Sequence, residues 1–347
     1  NRNLIINGAM QVAQRGTSTT GITSNGYHAT DRMNFYKTNS ATYAVSQSTD
    51  APAGFSYSHK VVSTTGDSSL GATDLVSPLF YSIEGQDLQH LGYGTTDGKY
   101  STLSFWVKTN VTGTYSVSFY KTHLSARVCS PLYTITTANT WQYVSLTVPS
   151  DIVPIANGTG GGLYLYFNTT VGSSYNSQPT TAWTAYNSNN WAGGHTANCF
   201  ASANDSWQIT GVQLEVGDTA TPFEHGKSYG EELAKCQRYY ANYKATTGQS
   251  HMAFPYSGFA NSTTAELFGN HPVEMRVPPT VSFNSVSAFR IAQSASDQNT
   301  TGMTVDFIST SSMRLRPTVS TGLTAGQGVG LLNRPSTLAI INFDAEL

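Results

Sequence analysis

Charge is scarce in this chain. Asp, Glu, Lys and Arg make up 11% of 347 residues, where about 25% is ordinary for a globular protein. The formal net charge is −2, so no basic footprint for nucleic acid is present. Cysteine is scarcer still. Cys129, Cys199 and Cys236 are an odd count without CxxC spacing, which argues against a disulfide framework and a metal site. No apolar run approaches the roughly 20 residues of a membrane-spanning helix. The opening NRNLIINGAM has one cationic residue and no apolar h-region, so no secretory leader is expected. The first residue is not Met, as expected of a processed chain or a visible part of a longer one. Neither a P-loop nor a dinucleotide fingerprint occurs. Sequons at Asn110, Asn168 and Asn299 are expected by chance in a chain so rich in Asn, Ser and Thr.

Polarity comes instead from Ser, Thr, Asn, Gln and Gly. Aromatics reach 12%, with 20 Tyr, and this excludes a disordered composition. NLIINGAMQVAQRG reads as a short strand and an Asn-Gly turn. Tyr27, Met33 and Phe35 follow as core candidates. LSFWVKT (103–109) alternates Leu103, Phe105 and Val107 on one face, and TYSVSFYK (114–121) alternates Tyr115, Val117 and Phe119. The NVTG between them reads as a hairpin turn. WQYVSLTV (141–148), GLYLYFN (162–168) and WQITGVQLEV (207–216) repeat the period of two. Strands without intervening helices predict an antiparallel sandwich. Residues 241–347 are β-rich again, from HMAFPYSGFA to LAIINFDAEL, with Pro278 and Pro279 before a strand. They read as a second, smaller β-sandwich.

Two stretches depart from that pattern. Residues 172–206 form a long polar tract, and loops of that length are uncommon unless functional or disordered. It carries Tyr175, Trp183, Tyr186 and Trp191 with Asn187, Asn189 and Asn190. Aromatic rings stack on sugar C–H faces and amides bond the hydroxyls, so these residues are the candidate glycan site. The competing reading puts the tryptophans in the sandwich or at a subunit interface. The second stretch is the one clear helix. Ser228 at N-cap with Glu231 at N3 makes an S-x-x-E capping box. Leu233, Cys236, Gln237 and Tyr240 recur at i, i+3, i+4 and i+7 as a mostly apolar stripe. A helix of some 12 residues is marginal alone, so a role as a joint between two β domains is expected.

Three segments together resemble a known group. NLIINGAMQVAQRG with TDRM, then WQITGVQLEVGDTATPFEHGKSYGEELAKCQRYY, then FGNHPVEMRVPPTVSF with LAIINFDAEL resemble bacteriophage virion proteins of the tail-fibre and receptor-binding kind. The resemblance implies an all-β chain: a jelly roll similar to carbohydrate-binding modules over 1–226, a linking helix over 227–241 and a C-terminal β-sandwich over 242–347. It implies a homotrimer on the virion surface, in contact with other virion proteins and a host surface glycan, without nucleic acid or membrane insertion. The helix residues Ser228, Glu231, Leu233, Cys236 and Tyr240 would then serve the inter-domain or subunit contact. Related jelly rolls often hold a calcium ion. Where they place acidic residues this sequence has Met10-Gln11 and Thr210-Gly211, so neither calcium nor any other cofactor is expected.

No enzyme is expected. Glu84, Asp87 and His90 are the best local acidic cluster, and a solvated face or helix cap explains them more simply. His28 with Asp31 lacks a nucleophile motif. His195 and Cys199 lie i, i+4 in a Gly-rich stretch without further ligands. Two alternatives remain: a capsid decoration or head-fibre protein without a ligand, and a glycan depolymerase, which needs paired carboxylates about 5–9.5 Å apart.

Overall fold

The computed structural model describes residues 2–225, 228–245, 253–294 and 297–347. It is nearly all β. The chain divides into two compact units, Asn1–Glu232 and Leu233–Glu346.

Two sheets build the first unit. One has six strands in the order Ser18–Ile22, Thr42–Ser48, Ser58–Thr65, Ser206–Val216, Ser101–Thr109, Gln142–Val148. The other runs Thr180–Ala185, Arg127–Ser130, Gly113–Lys121, Gly161–Asn168, Leu75–Glu84, Asn34–Lys37, Gly26–Tyr27. Leu132–Ile135 and Thr170–Val171 pair with its interior strands, making nine. The strands pair antiparallel within each sheet, as the alternating sequence requires. The sheets share one core. Leu103, Phe105 and Val107 enter it from the first, and Tyr115, Val117 and Phe119 from the second, all fully buried. Met33 and Phe35 join them, while Tyr27 is only half-buried.

That shared core corrects the NVTG hairpin. Ser101–Thr109 pairs with Gln142–Val148 and Ser206–Val216. Gly113–Lys121 pairs with Gly161–Asn168 and Arg127–Ser130. The turn therefore crosses between sheets, and so both aromatic rows meet face to face. Asn110 fixes the crossing: its Oδ1 accepts from the Ser206 amide at 2.8 Å and its Nδ2 donates to Asp205 at 3.1 Å. The N-terminal strand is also corrected. Residues 2–15 have no strand. The Asn-Gly turn is present, with Asn7 at φ 61°, and the Asn7 amide bonds the carbonyls of Val12 and Asp31, each at 2.9 Å. Its side chain thus does locally what a ladder would do.

The helix covers Tyr229–Gln237, and 226 and 227, the expected domain junction, lie outside the described residues. The capping box forms as the sequence predicts: the Ser228 amide donates to Glu231 Oε2 at 2.8 Å, and the Glu231 amide to Ser228 Oγ at 3.3 Å. The stripe is shorter than expected. Tyr240 opens the strand Tyr240–Ala245, and its hydroxyl donates to Asn342 at 2.8 Å. Cys236 and Tyr240 are buried within this chain and Leu233 is half-buried, which withdraws the first two from a surface offered to a partner copy.

In the second unit the hydrogen bonding closes a ring where a sandwich was expected. Its order is Ala253–Ala260, Ala265–Asn270, Ser312–Val319, Gln298–Asp306, Phe289–Ala292, Gly328–Asn333. Gly328–Asn333 bonds both Ala253–Ala260 and Phe289–Ala292, so neither is left as an edge. Of HMAFPYSGFA, His251 and Met252 lie outside the described residues. Tyr240–Ala245, Ala339–Asp344 and Thr280–Phe283 form a separate three-stranded sheet, and Thr280 starts directly after the paired prolines.

Candidate functional site

The 172–206 tract is not a bare loop. It holds the strand Thr180–Ala185, paired with Arg127–Ser130, and a 3-10 turn over Ser188–Asn190. Trp191 follows the turn and is 6% exposed. Its indole Nε1 donates to Asn168 Oδ1 at 3.3 Å. Its carbonyl accepts from the hydroxyls of Ser118 and Ser130, both at 2.6 Å. Asn168 in turn donates to Ser116 and Ser118 at 3.0 and 2.7 Å. These polar groups lie on the outward side of the nine-stranded sheet, and Trp191 seals them. An open stacking ring at Trp191 is thereby excluded in this structure. Trp183 is corrected likewise. It is 8% exposed within the main core, its Nε1 donates to the Pro149 carbonyl at 2.8 Å, and its ring lies 5.6 Å from Lys121 Nζ.

Around Trp191 lies a belt of rings that the sequence reading missed. On Gly161–Asn168, Leu163, Leu165 and Phe167 face the core, so Tyr164 and Tyr166 face outward. Tyr120 stands opposite Tyr164, and Phe80 opposite Tyr166. Phe80 stacks on Tyr166 at 4.3 Å and on Tyr164 at 6.0 Å. Tyr36 meets Tyr166 edge-on at 5.8 Å. Tyr120 meets Tyr186 at 5.4 Å, and both touch Trp191, at 5.4 and 5.8 Å. Tyr175 packs against the same small cluster. Tyr186 is 39% exposed and the other five belt rings are half-buried. Burial, then the neighbouring Tyr175 phenol, raises the pKa of Tyr36 and Tyr186, and burial with Tyr120 raises that of Tyr164. Those three are therefore held as neutral phenols at neutral pH. The signal in the sequence was the outward half of each strand: aromatic residues stand where a solvated sheet would place Thr or Ser.

The segment after Tyr186 adds amides. Gln178, Thr180, Thr184, Asn187, Asn189 and Asn190 line a hollow of about 440 Å³, with no charged side chain among them. Asn187 Oδ1 accepts from the Asn189 amide at 3.1 Å and Asn190 Oδ1 from the Asn187 amide at 3.0 Å, which holds the turn. Asn190 Nδ2 also donates to Thr184 Oγ1 at 3.0 Å. The Asn189 side chain is exposed beside them. Of the residues expected for a glycan, Tyr175, Tyr186, Asn189 and Asn190 are thus assembled on one side of the sheet, while Trp183 is turned into the core.

The clusters weighed for catalysis are occupied or dispersed. Glu84 is fully buried and accepts from Gln86 Nε2 at 2.8 Å, whereas Asp87 and His90 are exposed. Asp31 accepts from the Gln14 amide and side chain at 2.9 and 2.6 Å. His195 and Cys199 are both buried, with His195 Nε2 2.8 Å from the Ala197 carbonyl and Cys199 Sγ 3.3 Å from Thr109 Oγ1. Among the described residues no three His, Cys, Asp or Glu side chains converge on a common point. Gln47 Nε2 donates to the carbonyls of Met10 and Gln11 at 2.7 and 3.0 Å.

No family model and no curated protein matches the sequence. Solved structures give weak likenesses. One is the enzymatically active domain of tailspike protein 4 of bacteriophage CBA120, at 15% identity and a TM-score of 0.33, covering 62% of this chain and 21% of that chain. A second is the CBM22-1-GH10 portion of xylanase 10B from Clostridium thermocellum, at 12% identity and a TM-score of 0.31, covering 65% and 30%. A third is a putative sugar binding protein from Bacteroides thetaiotaomicron, at 12% identity and a TM-score of 0.29, covering 62% and 99%. This chain thus spans less than a third of the first two. With TM-scores no higher than 0.33 these likenesses carry no argument about the fold, a ligand or a reaction.

Proposed function

We propose that this chain is a non-catalytic binding protein whose first unit holds a host surface glycan, and that it serves as a bacteriophage tail-fibre or receptor-binding protein. The observation that carries the reading is the ring belt through Tyr120 and Tyr186, together with the uncharged hollow of amides lined by the residues that follow Tyr186 in the chain. Ring faces pack against the apolar faces of sugars, and the amides and phenols bond the hydroxyls. The test uses labelled full-length protein on an array of bacterial surface glycans, beside Tyr186→Ala and Asn189→Ala. Binding that both variants weaken supports the reading. An array on which the wild type binds nothing removes it and favours the decoration protein without a ligand. Release of shortened glycan would favour the depolymerase.

Self-association belongs to the same proposal. Phe259, Phe268 and Phe307 of the second unit are 66%, 52% and 73% exposed. Phe259 and Phe268 border a broad depression with Gly258, Gly328 and Gly330. Such exposed rings on a sparsely charged chain suit a subunit contact, and cyclic symmetry would close it as a homotrimer. Sedimentation at micromolar concentration is expected to give a trimer that Phe259→Asp dissociates. A monomeric wild type would count against it.

A further inference from the structure

A second cleft lies on the outward side of the other sheet. Leu103, Phe105 and Val107 point into the core, so Ser104, Trp106 and Lys108 point outward. Tyr143 stands directly opposite Trp106, and their rings are 5.4 Å apart. Across from this pair sits a second group. Phe55 lies 5.1 Å from Phe223 and 4.9 Å from His225, and Phe223 and His225 are also 4.9 Å apart. Both groups line one cleft of about 340 Å³. Gly211 lies between them. It sits in a register shift of Ser206–Val216 with φ 62°, and a Cβ there would come within 2.7 Å of Phe55 and 3.2 Å of Trp106. A side chain at 211 would fill the place where the two walls approach the backbone.

We propose that this cleft is a second binding site of the first unit, and that it takes a ring of an uncharged saccharide. The walls are aromatic on both sides, and aromatic faces suit the C–H faces of a pyranose ring. Polar groups accompany them: the Ser104 hydroxyl, the Tyr143 phenol and the His225 imidazole all line the cleft. Among the described residues that line the cleft none is Asp, Glu, Lys or Arg. Lys108 Nζ lies 2.8 Å from Asp50 Oδ2, and the same carboxylate accepts from Trp141 Nε1 and Gln208 Nε2, each at 3.2 Å. The described lining thus offers an ionic sugar no Lys, Arg, Asp or Glu to pair with. Tyr143 is 49% exposed, so its ring is open before any ligand arrives. The site is separate from the belt, which lies on the other sheet. A proline-rich peptide is the competing occupant, because aromatic grooves also take it.

The experiment uses the labelled full-length chain on one array carrying neutral glycans, acidic glycans and decaproline. Three variants run beside it: Tyr143→Ala, Gly211→Ala and Tyr186→Ala. A wall ring that stacks on the ligand is worth on the order of tenfold in affinity. Tyr143→Ala is expected to weaken at least one neutral glycan by about that factor, with its melt unchanged, and Gly211→Ala is expected to weaken the same glycan. Tyr186→Ala should leave that glycan bound. Three results overturn the site: wild-type affinity of Tyr143→Ala for every glycan, binding of decaproline without any neutral glycan, and no binding at all. Loss in Tyr143→Ala alone keeps the cleft and removes the belt. Loss in Tyr186→Ala alone does the reverse.

Discussion

Lys121 Nζ lies 2.8 Å from Asp151 Oδ2, and both side chains are sealed from water, at 0% and 1% exposure. Arg127 reaches the other oxygen of the same carboxylate at 2.8 Å, and Trp183 covers the ammonium. Trp183, which the competing sequence reading puts in the sandwich, is thus packed against a buried ion cluster.

The cluster predicts unequal costs for its two partners. Asp151→Asn leaves two cations without their anion, one of them fully buried, and is expected to cost roughly 3–5 kcal/mol. Lys121→Met leaves Arg127 to hold Asp151 and should cost clearly less. Urea melts of the two variants check the order. Equal midpoints would mean that Lys121 alone carries the pair.

Acid should weaken the first unit in two stages. His59 and His195 are buried neutral, and burial lowers the pKa of each from 6.5 to about 4. Between those values the unfolded chain binds protons that the folded chain refuses, so stability falls as pH falls. At about 1.4 kcal/mol per unit, each histidine removes up to roughly 3 kcal/mol by pH 4. The carboxylate of Asp151 follows. Burial pushes its pKa up, but Arg127 and Lys121 outweigh burial and hold it below 3.8. Its contribution is present above that value and is lost as pH falls further. Thermal melts from pH 7 to pH 3 should show both. His195→Gln should flatten the upper stage, and an unchanged slope in that variant would count against the assignment.

The helix cap is a smaller, local term. Ser228→Ala removes the acceptor for the Glu231 amide and should cost about 1 kcal/mol, while Ser228→Thr, which keeps the hydroxyl that also donates to Glu231 Oε2, should be nearly neutral. Comparing the two by denaturant unfolding isolates the cap from any effect of the surrounding segment.

The fold was legible wherever one short-range rule decided it. Alternation marked Leu103, Phe105 and Val107 correctly, and S-x-x-E marked the helix start. Sheet membership was not legible, because NVTG has turn composition whether the chain returns beside itself or crosses to the opposite sheet. The barrel closure was hidden for the same reason: it depends on Gly328–Asn333 meeting Ala253–Ala260 across some 70 residues. At the site, the asparagines and Tyr186 were visible in one tract. The belt was not, since Tyr36, Phe80, Tyr120 and Tyr164 come from four strands and meet only after folding.

The last prediction separates structure from recognition inside the belt. Trp191 fills the space between the sheet and its own loop, and its carbonyl and indole both bond the buried Ser and Asn groups beneath. Trp191→Ala should therefore cost about 3–5 kcal/mol, as truncation of a buried aromatic does. Asn168 would lose an indole donor, and the amide turn at Ser188–Asn190 would lose the residue that anchors it. Tyr186 differs because its ring is the exposed edge of the same cluster. Tyr186→Ala removes contacts with Tyr120 and Trp191 at the surface only, so its melt should shift by less than about 1 kcal/mol. Glycan binding is the second axis. Tyr186→Ala should weaken it with the fold intact, while Trp191→Ala should weaken both together. A normal melt for Trp191→Ala would show that the ring is not the keystone of this face.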